Sequence, residues 1–269
     1  MMQNQKNTSR QDRPIAVFDS GVGGISVLAE LISRMPGESY LYFGDSLHAP
    51  YGSRSPEEVQ RLTRAHIGHL LDMGAKAVVV ACNTATGAAI SELRQQYPQI
   101  PLIGIEPAIK PAVLEHPGGR ILVMATPVTL AGEKFRRLME TYRQEAEIIP
   151  LPAPQLARMI ETGAEPQEID AYLAQLFSPY REEKPNAVVL GCTHYPFVRE
   201  RISRVSGIAS LYDGGPGTAR ETERRLRECG LLCGDGTGGQ VRIMNSSPEE
   251  DRIRYCEKLL AAYIAGKNN

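Results

Sequence analysis

Two cysteines carry the chemistry that this sequence could perform. Cys82 stands in Ala77-Val78-Val79-Val80-Ala81-Cys82-Asn83-Thr84, and Cys192 in Ala187-Val188-Val189-Leu190-Gly191-Cys192-Thr193-His194. Each cassette is a run of strand formers, a small residue, the thiol and two polar residues. The cysteines lie 192 − 82 = 110 positions apart, a domain's length rather than a motif's. A thiol at the start of a helix meets the helix's positive end and its free N–H groups, both of which favour thiolate. One such cysteine alone is more readily a small buried hydrophobe. Two at equivalent positions, each followed by hydrogen-bonding residues, favour a chemical role.

Several chemistries compete for the pair. A thiol protease needs one nucleophilic cysteine with a histidine base and an orienting group, which leaves the second cysteine unexplained. Zinc binding by Cys82, Cys192 and His194 fits poorly, because Cys-x-His is not a usual zinc spacing and no second close pair accompanies it. No metal and no disulfide between the two are therefore expected. Two thiols on opposite faces of one carbon account for both: one thiolate removes a proton from a stereocentre and the other thiol delivers one to the far face. That chemistry is racemisation, and it requires no cofactor. His194 is placed to be the proton partner of Cys192. Asp19, next to a glycine turn, reads equally as an anion repeller, a base orienter or a helix N-cap. The turn Gly21 to Gly24 offers backbone N–H groups suited to a carboxylate or phosphate, but it is neither a dinucleotide fingerprint nor a P-loop. Asn83, Thr84, Thr126, Thr129 and Thr193 are neutral donors able to hold small carboxylates.

The elements that must position these groups alternate between strand and helix. Strands are predicted at 15–18, 40–44, 77–80 and 101–105, with helices at 25–35, 55–73, 84–97 and 106–116. Ser55 caps the second of these helices with Pro56 at its first position, and Gly74 stops it. A second series follows: strand 120–125, helix 126–142, strand 147–151, helices 154–162 and 168–180, and then the second cassette. After it come a helix to 205, a strand at 208–212, a helix at 218–229, a loop at 234–239 and a strand at 240–245. A final helix over 247–265 is capped by Ser247-Pro248-Glu249-Glu250. The pattern predicts an α/β protein of two similar parallel-sheet domains, a divergent duplication with the site in the cleft between them. The first domain spans 1–106 plus 212–269 and the second 107–211, the tail returning to add strands to the first sheet. Ligands in such sheets sit at the carboxyl ends of the strands. The Asp19-Ser20 pair, the loop 45–52, both cassettes and Thr126 with Thr129 all fall there.

Bulk properties agree. At 269 residues the chain has room for two cores, and 42% hydrophobic with 23% charged residues is an ordinary globular composition. A net charge of −1 provides no global field for nucleic acid or an anionic membrane. Five cysteines, an odd number, argue for a reducing compartment. Cys229, Cys233 and Cys256 read as structural. Residues 1–14 are polar, unlike a secretory signal, and no apolar run reaches membrane-spanning length. A cytoplasmic protein with a mobile N-terminal extension is expected.

With those residues in view, the chain resembles the glutamate racemase family, cofactor-independent enzymes of bacterial cell-wall precursor synthesis. The matching stretches are Phe18-Asp19-Ser20-Gly21-Val22-Gly23-Gly24, Gly44-Asp45 with Pro50-Tyr51-Gly52, Ala81-Cys82-Asn83-Thr84-Ala85 and Gly191-Cys192-Thr193-His194-Tyr195-Pro196. The resemblance implies that Cys82 and Cys192 are the acid/base thiols, with Asp19 beside the first and Glu161 and His194 beside the second. It implies that Ser20, Pro50, Tyr51, Gly52, Asn83, Thr84, Thr126, Thr129 and Thr193 bind glutamate. It further implies a homodimer supplying D-glutamate for peptidoglycan. Two departures stand out: Ala85-Thr86-Gly87 replaces the more usual Ala-Ser-Ala, and Asp213-Gly214 stands where Asp-Ser is common. The alternatives are a racemase of aspartate or another paired-cysteine isomerase, and a non-catalytic protein that closes on a small dicarboxylate.

Overall fold

The computed structural model describes residues 9–234, 238–249 and 251–267. Its elements in chain order are β1 (Ile15–Asp19), α1 (Ile25–Arg34), β2 (Tyr40–Gly44), α2 (Pro56–Asp72), β3 (Ala77–Val80), α3 (Asn83–Gln96), β4 (Leu102–Gly104) and α4 (Ile109–Glu115). There follow β5 (Arg120–Ala125), α5 (Pro127–Ala131), α6 (Glu133–Tyr142), β6 (Glu147–Pro152), α7 (Leu156–Glu161), α8 (Pro166–Leu176), β7 (Ala187–Leu190) and α9 (Arg199–Ser206). The tail holds β8 (Leu211–Asp213), α10 (Gly215–Glu228), β9 (Val241–Asn245) and α11 (Asp251–Lys267).

The strands form two sheets whose neighbours all pair in parallel, in the orders β4-β3-β1-β2-β9 and β6-β5-β7-β8. The second order read backwards is β8-β7-β5-β6, so the first four strands of each half repeat one arrangement. The expected duplication is therefore visible in the topology. Cys82 follows β3 and Cys192 follows β7, the same strand of each repeat. Both abut the central strand, β1 or β5, whose two neighbours are reached in opposite directions. Open parallel sheets bind ligands at that switch point.

Strand alternation places each sheet between two helical layers. Ile15, Val17, Tyr40, Tyr42, Ala77 and Val79 join a core that includes Leu28 of α1, Leu226 of α10 and Cys256 of α11. Ala16, Phe18, Leu41, Val78 and Val80 face Leu62 and Ile67 of α2 and Ile90 of α3. In the second sheet Leu122, Met124, Val188 and Leu190 pack with α7, α8 and α9, while Ile121, Val123, Ala187 and Val189 pack with α4 and Phe135 of α6.

Some local expectations need correction. The strand expected at 208–212 is β8, shorter and later at Leu211–Asp213, and it pairs with β7 in the second sheet. The single strand β9 extends the first sheet beyond β2. The division anticipated between 211 and 212 falls inside β8. Helix 126–142 is broken at Gly132, whose extended backbone (ψ 144°) separates α5 from α6. The helix expected from 106 begins at Ile109, which leaves Pro111 in the first turn, where no backbone N–H is needed. The closing helix starts at Asp251 rather than Ser247. Asn245 and Ser246 instead bind the loop after β2: Asn245 Nδ2 donates to Ser46 Oγ, and Ser246 Oγ to Asp45 Oδ1. Glu250 of the anticipated cap lies outside the described residues. Of the N-terminal extension, Arg10–Asp12 form a turn and Pro14 O accepts from Lys76 N–H at 2.9 Å; residues 1–8 lie outside the described residues. By contrast, Ser55 caps α2 as expected, its Oγ accepting from Glu58 N–H at 3.2 Å.

The chain passes from the first sheet to the second after β4 and returns after β8. The two connections touch, backbone to backbone: a Cβ on Gly214 would sit 2.4 Å from Glu106 O and 2.8 Å from Ile105 Cγ1. Gly214→Ala should therefore lower stability by about 1–3 kcal/mol through overpacking. Urea denaturation reads this directly, and an unchanged midpoint would show that the connections have room to part.

Candidate active site

The expected residues sit at or beyond the strands' carboxyl ends, except Glu161, which closes helix α7. Between the sheets these ends enclose a cavity of about 150 Å³. Drug-sized ligands occupy roughly 300–1,000 Å³, so this cavity suits a small molecule. Its walls carry Cys82 and Cys192 together with Ser20, Pro50, Tyr51, Gly52, Asn83, Thr84, Thr126, Glu161, Thr193 and His194. Asp19 and Thr129 are not in the wall. Asp19 is fully buried beneath it, and Thr129 stands behind Thr84 and Thr126.

Cys82 is the N-cap of α3. Its Sγ accepts from Ala85 N–H at 3.4 Å and from Ser20 Oγ at 3.3 Å. Those donors favour thiolate, as the sequence suggested, but they are outweighed. Burial, then the nearby Asp19 charge, push the thiol up to about 12. Cys82 therefore rests protonated. Asp19 is itself raised, burial acting first and Glu161 adding to it, against His194 and donors from Gly21 N–H and Thr193. Its Oδ2 accepts from Gly21 N–H at 3.0 Å and its Oδ1 from Thr193 Oγ1 at 3.1 Å, the latter across the cleft.

Cys192 has a different setting. It does not cap a regular helix: a short 3-10 turn, Tyr195–Val198, intervenes before α9. Its neighbour is His194, with Nδ1 at 3.7 Å from Sγ. The other ring nitrogen, Nε2, lies 2.6 Å from Glu161 Oε2. Burial alone would lower the His194 pKa, but hydrogen bonds to Cys192 and Glu161 raise it well above its ordinary value. Burial likewise opposes the Glu161 charge, yet His194, Val22 N–H and Ser46 Oγ hold the carboxyl below the usual range. This is a buried imidazolium–carboxylate pair with one N–H turned to a thiol.

The glycine turn serves that pair. Val22 N–H donates to Glu161 Oε2 at 2.9 Å, so the expected carboxylate is the protein's own. A Cβ on Gly21 would lie 2.5 Å from Glu161 Oε2, and one on Gly23 would lie 2.4 Å from His194 Nδ1. Glycine is required because the second half's dyad packs directly on this backbone.

The remaining expected residues divide by what their polar groups do. The hydroxyls of Thr84, Thr126 and Thr129 form a triangle with sides of 3.1, 3.0 and 2.9 Å, joining α3 of one half to α5 of the other. Tyr51 presents its ring, since its hydroxyl is committed to Asp45 Oδ2 at 2.6 Å. Gly52 permits close approach: a Cβ there would meet Thr126 Cβ at 2.7 Å. Asn83 Oδ1 is buried without a hydrogen-bond partner, an acceptor available to a ligand's ammonium group.

Among the wall residues that sequence reasoning missed are Ser46, Arg158 and Arg252. Ser46 Oγ donates to Glu161 Oε1 at 2.7 Å. Arg252 reaches from α11 across the cleft, and its Nη1 donates to Glu161 O at 2.8 Å. Ser46 was visible as a polar residue in the 45–52 loop, whereas nothing local marks Arg252. With Arg158 it adds positive charge to walls that otherwise looked neutral. Cys229, Cys233 and Cys256 stand apart from the cavity as free thiols, Cys256 within the first core.

Residues 20–222 match a family model described as Asp/Glu/Hydantoin racemase. A glutamate racemase from Clostridium botulinum is 48% identical over 253 residues, covering 93% of this chain and 98% of the relative. A solved glutamate racemase from Francisella tularensis, in complex with D-glutamate, is similar with a TM-score of 0.81 and 27% identity, covering 93% of this chain and 94% of that one. The Escherichia coli glutamate racemase, solved with L-glutamate and the activator UDP-MurNAc-Ala, has a TM-score of 0.79 and 28% identity, covering 92% and 95%.

Two outcomes follow from the electrostatics. The lowered Glu161 pKa contributes stability that is present above its unfolded value and is lost as pH falls through the folded one. The raised His194 pKa contributes stability that is present below its unfolded value and is lost as pH rises through the folded one. The pair thus contributes fully between about pH 4.3 and 6.5. Glu161→Gln should cost about 3–5 kcal/mol there, with the gap to wild type narrowing on either side; a gap independent of pH in denaturation profiles would refute the pairing. In timed iodoacetamide labelling at pH 8 read by mass spectrometry, exposed Cys229 should react well before Cys82, because thiolate is the reactive form. Faster labelling of Cys82 would contradict its protonated state.

Proposed function

This chain belongs to the glutamate racemase family, and we propose that Cys82 and Cys192 are the two acid/base groups of its reaction. It is an isomerase, a glutamate racemase, interconverting L- and D-glutamate. The observation that carries the two-thiol reading is the placement of both cysteines, each at the end of the equivalent strand of a repeated sheet, in the wall of one small cavity.

In this mechanism glutamate lies between the thiols with Cα toward both. In one direction the thiolate of one cysteine removes the Cα proton, and the S–H of the other protonates the opposite face. The two cysteines thereby exchange protonation states, and the reverse direction uses them in reverse. Cys82, protonated at rest, is the acid of the resting enzyme. The His194 ring, held charged by Glu161, points Nδ1–H at Cys192 Sγ, a donor that supports the sulfur when it carries the charge of the base. Asp19 keeps the proton on Cys82 through its charge.

Substrate contacts follow from one unpartnered acceptor and from hydroxyls that can turn from their present partners to a ligand. Asn83 Oδ1 accepts from the ammonium group, and the Thr84–Thr126 hydroxyls and Ser20 donate to carboxylates. Arg158 and Arg252 supply countercharge at the cavity wall. Charge developing at Cα is thus met by oriented donors where little water competes. Thr193 acts through Asp19, Thr129 through the hydroxyl triangle, and Tyr51, Pro50 and Gly52 by shaping the wall.

The wider role belongs to the same proposal: a cytoplasmic homodimer supplying D-glutamate for peptidoglycan. Five free cysteines are consistent with a reducing compartment, and the dimer rests on family resemblance alone. A dicarboxylate binder without chemistry would have no use for two opposed thiols. The test is deuterium wash-in at Cα from both enantiomers, without added cofactor. Wild type should exchange both. Cys82→Ser and Cys192→Ser should each lose about 10²–10⁴-fold in turnover, with residual exchange that differs between enantiomers. Identical residual behaviour toward D- and L-glutamate would defeat the opposite-face assignment.

A further inference from the structure

We propose that Asp45, His48 and His66 form a binding site for one divalent first-row transition-metal ion, beside the catalytic cavity and independent of its thiols. Asp45 lies just beyond β2 and is completely buried. Among the described residues, its ion-pair partners are two imidazoles, with no lysine or arginine in reach. His48 Nδ1 lies 2.9 Å from Oδ1 and 3.0 Å from Oδ2, and His66 Nε2 lies 3.0 Å from Oδ2. All three ligand atoms fall within 4.8 Å of one another.

The carboxylate has about four lone-pair directions. Ser246 Oγ donates to Oδ1 at 2.6 Å and Tyr51 Oη to Oδ2 at 2.6 Å, leaving one direction on each oxygen turned to the histidines. His66 Nε2 is buried and lies 3.0 Å from Oδ2, an ion-pair contact with that carboxylate that falls outside strict hydrogen-bond alignment. In the Nδ1–H tautomer that nitrogen carries a lone pair, so a cation entering between ring and carboxylate takes the place of an Nε2–H and gains both as ligands. The ring is also held in place, stacked on Phe18 at 5.6 Å between centroids and tilted against Phe43 at 4.8 Å.

The spacing suits a metal. With bonds of about 2.0–2.2 Å, a right angle at the ion puts neighbouring ligand atoms about 3 Å apart, as observed between oxygen and nitrogen. Two imidazoles and one carboxylate select zinc, cobalt, nickel or copper over magnesium or calcium. The His48 and His66 side chains are 34% and 20% exposed, which opens one edge to solvent for entry and for water ligands. Binding is coupled to the catalytic cavity, because Asp45 also holds Tyr51 in its wall.

The experiment titrates metal-stripped, full-length protein with Zn²⁺ by calorimetry and with Co²⁺ by absorption. One Zn²⁺ should bind per chain, about ten-fold or more weakly in His48→Ala and in His66→Gln, without a thiolate-to-cobalt charge-transfer band. Thermal unfolding of each variant establishes its folded state, and the more exposed His48→Ala carries the comparison if His66→Gln is unstable. Absence of stoichiometric binding, undiminished affinity in the folded variants, or a thiolate band accompanying the binding event would overturn the proposal. The last would assign the ion to cysteines.

Discussion

The Glu161 carboxylate is the joint on which the two halves meet. It receives Val22 N–H and Ser46 Oγ from the first half and the His194 ring from its own. Its backbone carbonyl is held by Arg252 of the closing helix. Hydrogen bonds to a charged group contribute about 1.5–3 kcal/mol each, and a buried charge left unpaired costs more than it would have contributed paired. The halves are therefore registered by a group that also orients the histidine beside Cys192. Any motion that opens the cleft must part these bonds, so cleft geometry and the state of the dyad are physically linked.

That joint makes the repeated architecture chemically unequal. The duplication places a thiol after β3 and another after β7, but one joint residue cannot serve both. On the Cys192 side stands a charged imidazole; on the Cys82 side stand a serine hydroxyl and a buried carboxyl that disfavours a second negative charge. A two-base racemase needs one proton-bearing and one proton-accepting group at the start of each half-cycle. Unlike neighbours provide that difference while the strands keep both groups at equivalent heights over their sheets.

Much of this was readable in order along the chain. Alternating strand and helix patterns, the Ser55-Pro56 cap and the two cassettes are local signals, and local physics produces them. The errors also have local causes. Ser247-Pro248 looks like a helix start, but residues 245 and 246 are drawn away to hold the loop at 45 and 46, which delays α11. Helix 126–142 carries no proline break, yet Gly132 takes an extended conformation where α5 must end beside α3. The helix-entry argument applied to both thiols alike; in the structure only Cys82 is a cap, and burial reverses the direction of its pKa.

By itself the sequence determined the alternation of elements, the duplication, the two thiols and the strand ends that carry them, because period, turn chemistry and repetition act over a few residues. Only the tertiary structure decided what each polar group is committed to. The glycine turn binds Glu161 rather than a ligand phosphate, Thr193 serves Asp19, and the Tyr51 hydroxyl serves Asp45. Arg252 arrives from a helix 91 positions beyond Glu161. Such commitments depend on which buried donors and acceptors meet after the sheets close on one another. The free energy of burying a charge or leaving a hydrogen bond unmade is a property of that enclosure, and no stretch of residues contains it.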